Sequence, residues 1–409
     1  MVRLAGLLLL LAAPAFCQVK VIVKLDRPEY LVGEPIFLLV DATNIGTEAI
    51  GYSSCDGHAN LTVPGGDQKK APQLRGCGAG GSGSGSGCGI DHPPTMKPGQ
   101  TVSFRYLLKG YRLQSGDYIL RATGKAGVRW FFGWGRNASS DGAHKTGDPV
   151  EGAMFDVSLR LNIREGSEQL LRQRYARYVE EAAIGSAITE RSLQAREAIA
   201  EMAPPFLEKT IREFASQPES ASLAVEGLGQ IATPESRADL KQLFGKTTDS
   251  GLRGLIVEKL AAIATTDELT FFSSLLGKAS GDVDSKVQVF GILGIGRLGG
   301  EAAVQILGSA PTNPTKEVRQ AVAMALGNTR FSAAVPLLIA MYSDEPVRND
   351  VCWALATLTH YKWCDGGGTE LETQNKWRSW WRTNGSRIRL YGMDECPAPE
   401  LLQPLDSAF

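Results

Sequence analysis

The sequence predicts a multidomain β + α protein, in which an N-terminal antiparallel β-sandwich precedes a C-terminal α-solenoid of helix-pair repeats. Three observations support this fold class. Apolar and polar residues alternate in short stretches between positions 19 and 163, a leucine before a small residue recurs every 29–33 residues from position 228 onward, and a short apolar segment opens the chain. A chain of 409 residues is long enough for two or three domains.

Residues 1–17 have the pattern of an export signal, a signal peptide that is removed. Arg3 provides the positive charge, residues 4–13 form a short apolar run, and small residues lie just before Gln18, where we expect the mature chain to begin. The run is too short to span a bilayer, and no later stretch is long and apolar enough. The alternatives are an N-terminal anchor helix and a lipid attached to Cys17. We therefore expect an exported protein, periplasmic or secreted, with no membrane span.

Residues 18–165 are expected to form the β-sandwich. Clean alternation in residues 19–25 and 155–163, with turn residues between the strands, is typical of antiparallel sandwiches. The stretch Tyr30-Leu-Val-Gly-Glu-Pro-Ile-Phe-Leu-Leu-Val-Asp resembles the opening of immunoglobulin-like domains in exported bacterial proteins, and this resemblance implies a fold but no activity. An insertion at 65–94 is rich in glycine and serine, so it cannot bury a core and is expected to be flexible.

A second insertion in the sandwich contains an aromatic cluster: Trp130, Phe131, Phe132 and Trp134. If these rings are exposed, they form a binding patch for a carbohydrate or another surface ligand. The alternative is that they pack into the sandwich edge or a domain interface, because exposed rings of this size reduce solubility.

Six cysteines follow Cys17, and an oxidising compartment makes them candidates for disulfides. They divide three and three between the two halves of the chain, which allows one bridge in each half. All three pairings in the first half stay open, whereas a Cys364–Cys396 bridge would hold the C-terminal tail at 391–409. Cys352 lies in a helical pattern and is interpreted as a small buried hydrophobic residue. The candidate disulfide cysteines are Cys55, Cys77, Cys88, Cys364 and Cys396.

Residues 167–390 are expected to form the α-solenoid. Around each anchor leucine, apolar residues spaced four apart form a stripe on one helix face, and a second helical stretch follows. Each period therefore encodes one helix pair, which can bury its apolar face only against its neighbours. A basic residue seven places before the leucine is expected to pair with carboxylates of adjacent repeats, at Arg253, Lys286, Arg319 and Arg348. The structural anchors are Leu228, Leu260, Leu293, Leu326 and Leu355.

The stretch Val318-Arg-Gln-Ala-Val-Ala-Met-Ala-Leu-Gly, followed by Ala333-Ala-Val-Pro-Leu-Leu-Ile, resembles the HEAT family in its short, PBS-lyase-like variant. The resemblance extends over about residues 192–359 and includes exported bacterial members; it implies a superhelical rod with a concave face for protein partners. Five of the seven tryptophans lie near the C-terminus, and Trp377, Trp380 and Trp381 share one helix face. They are predicted to form a cap on the last repeat, with an aromatic binding surface as the alternative.

No cofactor or metal chemistry has in this sequence both the residues and the context that it requires. Gly294-Ile-Gly-Arg-Leu-Gly matches the dinucleotide fingerprint, but it is in register with the repeat at Leu326 and lacks surrounding strand–helix alternation. Some HEAT-like enzymes are iron-dependent hydroxylases with His-Glu pairs, or bilin lyases, yet none of the four histidines here precedes a glutamate. Cysteine and histidine spacings match no compact zinc site. We therefore expect no cofactor, no metal and no catalytic residue.

These observations favour an exported, non-enzymatic interaction scaffold that binds another protein through the solenoid surface. The formal net charge of −1 provides no overall attraction to nucleic acid. Two alternatives stay open: carbohydrate or surface-ligand binding by the aromatic loop, and a HEAT-like lyase or hydroxylase activity.

Overall fold

The computed structural model describes residues 18–47, 49–52, 58–62, 95–126, 128–129, 153–183, 189–276, 285–310, 315–362, 369–391 and 403–404. These residues belong to two compact units, of which the first ends at Arg177 and the second begins at Tyr178. The first unit is built mainly from β-strands and the second mainly from helices. Within the described ranges, no helix combines the length and apolar character needed to cross a membrane.

The described part of the first unit contains ten short strands in three sheets. The strands are β1 (Val19–Leu25), β2 (Glu29–Leu31), β3 (Phe37–Asn44), β4 (Ile50–Tyr52), β5 (His58–Thr62), β6 (Thr95–Met96), β7 (Thr101–Leu107), β8 (Gly116–Lys125), β9 (Val128–Arg129) and β10 (Met154–Arg164). The sheet orders are β1-β3-β7, β2-β10-β8-β5 and β6-β4-β9. All pairs are antiparallel except β2 with β10, which is parallel. The two strands with the clearest alternation in the sequence, β1 and β10, form as predicted.

Residues from all three sheets share one apolar core. Val40 and Phe104 of the first sheet belong to the same buried cluster as Ala122 and Phe155 of the second and Met96 of the third. Alternation accounts for this arrangement, because every second residue of a strand points to the same face. The sheets are therefore held together by burial of these inward-facing side chains.

A cluster of charged side chains attaches the first helix, α1 (Glu168–Glu181), to this unit. The carboxylate of Asp26 accepts a 2.5 Å hydrogen bond from the Tyr30 hydroxyl and lies 3.8 Å from the guanidinium of Arg177. The hydroxyl of Tyr175 donates a 2.8 Å bond to the carbonyl of Gly33. Burial, together with the Asp26 carboxylate, raises the pKa of Tyr30 well above its ordinary value, so this phenol stays protonated and keeps donating to Asp26.

The second unit contains most of the helices. After α1 come α2 (Glu190–Met202), α3 (Glu208–Phe214), α4 (Pro218–Ile231), α5 (Pro234–Lys246), α6 (Ser250–Ile263), α7 (Leu269–Leu276), α8 (Ser285–Leu298), α9 (Gly300–Gly308), α10 (Lys316–Asn328), α11 (Ala334–Met341), α12 (Arg348–Thr359) and α13 (Glu370–Asn384). Two short strands, β11 (Tyr361–Lys362) and β12 (Gln403–Pro404), pair in parallel after α12. Two helices form in each predicted period, which confirms the helix-pair interpretation.

The even-numbered helices from α2 to α12 pack one against the next in chain order. Four of the predicted anchors are at most 1% exposed: Leu228, Leu260, Leu326 and Leu355. Leu293 is only half-buried, whereas its neighbours Ile292 and Ile295 are fully buried. The anchor leucine is therefore buried in four helices, whereas in α8 the adjacent Ile292 is buried more completely than Leu293.

Small residues let these helices approach closely. A Cβ atom at Gly296 of α8 would lie 2.5 Å from the Cα of Ala325 in α10, and one at Gly327 would lie 2.8 Å from the Cα of Ala354 in α12. The glycine pattern that resembles a dinucleotide fingerprint thus lies largely within α8, where Gly296 serves helix packing. A dinucleotide loop would instead join a strand to a helix.

Ion pairs join successive repeats, as predicted for two of the basic residues. Arg319 lies 2.6 Å from Asp344, and Arg348 pairs with Glu370 at the start of α13. Arg253 differs from the prediction, because its guanidinium lies 4.2 Å from the centre of the Phe244 ring. This cation–π contact takes the place of the predicted ion pair.

A buried arginine connects the first helices of the helical unit to one another. Arg196 of α2 is fully buried and donates to the carbonyl of Ala182 at 3.1 Å, to the side chain of Gln217 at 2.6 Å and to the hydroxyl of Ser220 at 3.2 Å. These bonds reach the end of α1 and the start of α4. A buried guanidinium is tolerated only when its donors are satisfied in this way.

Candidate functional site

A groove between α11 and α13 is the candidate binding site of the helical unit. Its volume is about 470 Å³, which lies within the range of small-ligand pockets. Seven residues line it: Pro336, Ile339, Ala340, Asn375, Arg378, Trp381 and Arg382.

Helix α11 provides the apolar side of the groove. Pro336 lies in its first turn, where the missing N–H costs no helical hydrogen bond. Ile339 is buried, whereas Ala340 is exposed. The side-chain amide of Gln374 in α13 donates a 2.7 Å bond to the carbonyl of Ile339, and this bond is buried. It fixes α13 against the last turn of α11, so the width of the groove is set by a direct contact.

The tryptophans of α13 divide into two groups. Trp377 and Trp380 are fully buried and meet edge to face, with ring centres 5.6 Å apart. Trp381 is partly exposed and lines the groove beside Trp380. The cap interpretation therefore describes Trp377 and Trp380, while Trp381 presents an aromatic surface.

The start of α13 is fixed by a capping box. The Thr369 hydroxyl accepts from the N–H of Glu372, and the Glu372 carboxylate accepts a 2.8 Å bond from the N–H of Thr369. This backbone bond holds the pKa of Glu372 below its ordinary value. A well-defined first turn positions every later side chain of α13, including those that line the groove.

The groove is electropositive. Arg378 and Arg382 lie one helical turn apart and are exposed, and Arg378 donates a 3.3 Å hydrogen bond to the side-chain amide oxygen (Oδ1) of Asn375. Neither guanidinium forms an ion pair with a carboxylate in the ranges that the structure describes. Residues 373–391 contain no Asp or Glu and five basic residues: Lys376, Arg378, Arg382, Arg387 and Arg389. This local excess of positive charge contrasts with the net charge of −1 for the whole chain.

The residues singled out from sequence for ligand binding and for disulfides lie outside the described residues. This holds for Cys55, Cys77, Cys88, Cys364 and Cys396, and for Trp130, Phe131, Phe132 and Trp134. Cys352 is disulfide-bonded and only half-buried, so its interpretation as a small buried hydrophobic residue is wrong. The described residues contain no group of three or more His, Cys, Asp or Glu side chains that could hold a metal ion.

Sequence reasoning missed the arginines of the groove. A signal was present in the acid-free, basic stretch 373–391, which differs from the mixed charge of the earlier repeats. The contribution of α11 had no such signal, because Pro336 and Ile339 fit an ordinary amphipathic helix.

Comparison with protein families identifies HEAT repeats in residues 273–356, about a fifth of the chain. This match and the helical region of the structure support a HEAT-repeat protein. No curated protein matches the chain.

Among solved structures, human deoxyhypusine hydroxylase in complex with glycerol is similar at 15% identity and a TM-score of 0.21, over 53% of this chain and 92% of that one. A Salmonella alpha-2-macroglobulin mutant has 10% identity and a TM-score of 0.18, and E. coli alpha-2-macroglobulin has 12% and 0.19. The chain spans 27% and 24% of the length of these two macroglobulins. Similarity at such TM-scores supports no conclusion about fold or function.

Proposed function

We propose that this protein is an exported, non-enzymatic scaffold whose helical unit binds another protein. The observation that carries the proposal is the groove, where Trp381 lies beside two exposed arginines without carboxylate partners among the described residues. Tryptophan and arginine are the residue types most enriched at the energetic centres of protein interfaces. HEAT repeats generally mediate protein interactions, and the family match supports the same function.

Preorganisation of the groove supports this function. Contacts within the chain hold α13 in place: the Gln374 bond to α11, the buried pair Trp377 and Trp380, and the Arg348–Glu370 pair. A surface that is already ordered loses less conformational entropy when a partner binds. The proposal extends to the finer architecture: an immunoglobulin-like sandwich in the first unit and a solenoid in the second, supported by the shared core of the sheets and the chain-order packing of the even-numbered helices.

Export is supported by the apolar run at residues 4–13 and by the disulfide at Cys352, because disulfides persist mainly in oxidising compartments. Residues 1–17 fused to an alkaline phosphatase that lacks its own signal would give an active enzyme only after export. We expect activity with the intact segment and none when residues 4–13 are deleted. Equal activity of the two fusions would contradict export.

The test of the scaffold function is site-specific photo-cross-linking in intact cells. A photoreactive residue replaces Ala340 in the groove or Trp353 on α12, which is 48% exposed, and the matched control replaces Ile119, which is 50% exposed on β8. We expect the same partner protein at one or both helical positions and not at the control. Failure to recover a reproducible partner from either helical position contradicts the proposal. The carbohydrate alternative rests on the rings at 130–134, and no contact of the described residues favours it.

A further inference from the structure

We infer that the groove between α11 and α13 binds an acidic, extended segment of the partner protein, with carboxylates on two alternate residues and an aliphatic side chain next to them. This inference rests on the proposed scaffold function and names the chemistry of the partner. It follows from the charge, spacing and lining of the groove.

Charge complementarity selects an acidic occupant. Arg378 and Arg382 point into a groove whose described neighbours provide no carboxylate, and the stretch 373–391 has no acidic residue. Guanidinium groups bind carboxylates through charge-assisted hydrogen bonds with a fixed, forked geometry. Two arginines without such partners in the described part of the chain therefore favour a ligand that supplies carboxylates.

The spacing of the arginines favours alternate residues of an extended segment. Side chains at i and i+4 of a helix have Cβ atoms about 6 Å apart. Alternate residues of an extended chain lie on the same face and are about 7 Å apart. An acid-x-acid sequence laid along α13 can thus place one carboxylate against each guanidinium.

The apolar side of the groove accounts for the aliphatic residue. Pro336, Ile339 and Ala340 form this side, and the partly exposed Trp381 lies opposite on α13. An aliphatic side chain inserted between them would be removed from contact with water, and this burial of apolar surface stabilises the complex.

This mixed lining also distinguishes an acidic protein from a phosphate polymer. Nucleic acids and polyphosphates are held by many cationic contacts along the backbone. The groove offers two guanidinium groups beside an apolar wall, on a chain whose net charge is −1. A short peptide that combines acids with an aliphatic side chain satisfies both parts of the groove.

The test pans a phage library of random dodecapeptides against the full-length chain, with the Arg378→Glu/Arg382→Glu chain as counter-target. We expect enrichment of peptides with acidic residues at alternate positions and a neighbouring Leu, Ile or Val. A fluorescein-labelled peptide of this kind should bind the double variant at least about tenfold more weakly, a loss of about 1.4 kcal/mol. The Arg387→Glu chain is the matched control: Arg387 is exposed and does not line the groove, so affinity should change by less than about twofold.

Three results would overturn the inference: no common motif among the selected peptides, enrichment of basic peptides, or equal affinity for the wild-type and double-variant chains. Binding of long-chain polyphosphate that depends on the two arginines, without any peptide binding, would also overturn it. Circular dichroism at 222 nm establishes that the double variant is folded. If cross-linking recovers a partner while peptide binding ignores the arginines, the scaffold function stands and this inference fails.

Discussion

Substitution of Gly296 by alanine tests whether close helix contact, rather than cofactor binding, accounts for the glycines of α8. Gly296 is buried in α8 where that helix meets α10. Helix propensity alone would make alanine more stable than glycine by about 1 kcal/mol. The new methyl group would lie 2.5 Å from the Cα and 2.6 Å from the carbonyl oxygen of Ala325, however, so the two helices must separate.

The size of the effect follows from which atoms are in the way. Overpacking of a core typically costs about 1–3 kcal/mol, and backbone atoms cannot rotate aside, so a value of about 3 kcal/mol applies here. After subtraction of the helix-propensity gain, Gly296→Ala should lower the free energy of unfolding by about 2 kcal/mol. With a denaturant dependence of about 2 kcal/mol per molar, the urea midpoint of the helical unit should fall by about 1 M.

The control for this experiment is Gly245→Ala. Gly245 lies in the last turn of α5, and a Cβ atom there would meet nothing within 4 Å. This variant should be up to about 1 kcal/mol more stable than the wild type, because only the propensity gain applies. Both are measured by urea titration with circular dichroism at 222 nm. A midpoint for Gly296→Ala at or above that of the wild type would refute the packing argument.

Three further substitutions test individual interactions. Arg196→Met removes a fully buried guanidinium that donates to Ala182, Gln217 and Ser220, among other acceptors, and should lower the free energy of unfolding by about 3 kcal/mol. Arg319→Ala breaks a partly buried ion pair and should cost about 0.2–1 kcal/mol, and equal losses in urea titrations would contradict this ranking. Burial raises the pKa of Glu268, but hydrogen bonds from Thr265 and Lys241 outweigh it and hold this pKa below its ordinary value of 4.5. The stabilising contribution of Glu268 is therefore complete above pH 4.5 and is lost as pH falls through the lower pKa of the folded state. The free energy of unfolding of Glu268→Gln should accordingly depend less on pH in this acidic range than that of the wild type. Equal pH dependence of the two proteins in urea titrations would contradict this prediction. Non-reducing peptide mapping should recover Cys352 cross-linked to another cysteine, and recovery of the free Cys352 peptide alone would contradict the disulfide.

Periodicity made the helical unit predictable, because each repeat buries the same face against its neighbours. The anchors Leu260 and Leu326 are buried for this reason, and Arg319 pairs with Asp344 in the next repeat. Leu293 departs from the pattern because Ile292 and Ile295 provide an alternative apolar face one residue away. A sequence with two adjacent apolar faces does not decide which of them is buried.

The groove could not be predicted in the same way. It depends on how α13 packs on α11, through a bond between Gln374 and the carbonyl of Ile339. A backbone carbonyl leaves no mark in the sequence, and Gln374 resembles any polar residue of a helix. Cys352 shows the same limit, because its helical pattern suggested burial, whereas its disulfide depends on a second cysteine that a helical pattern does not indicate.

The two units differ in how much of the chain must be synthesised before folding can begin, because their elements pair over different distances in the sequence. Strand β10 pairs with β2, so Asn162 is the partner of Glu29, and this sheet cannot close until nearly the whole first unit has been synthesised. In the helical unit, contacts such as Arg319–Asp344 connect consecutive repeats. This unit can therefore fold one helix pair at a time while the chain is being synthesised. Helix α13 is added last, and the groove requires it. A chain that is cut or stalled before α13 would therefore retain most of its helices but could not bind a ligand in this groove.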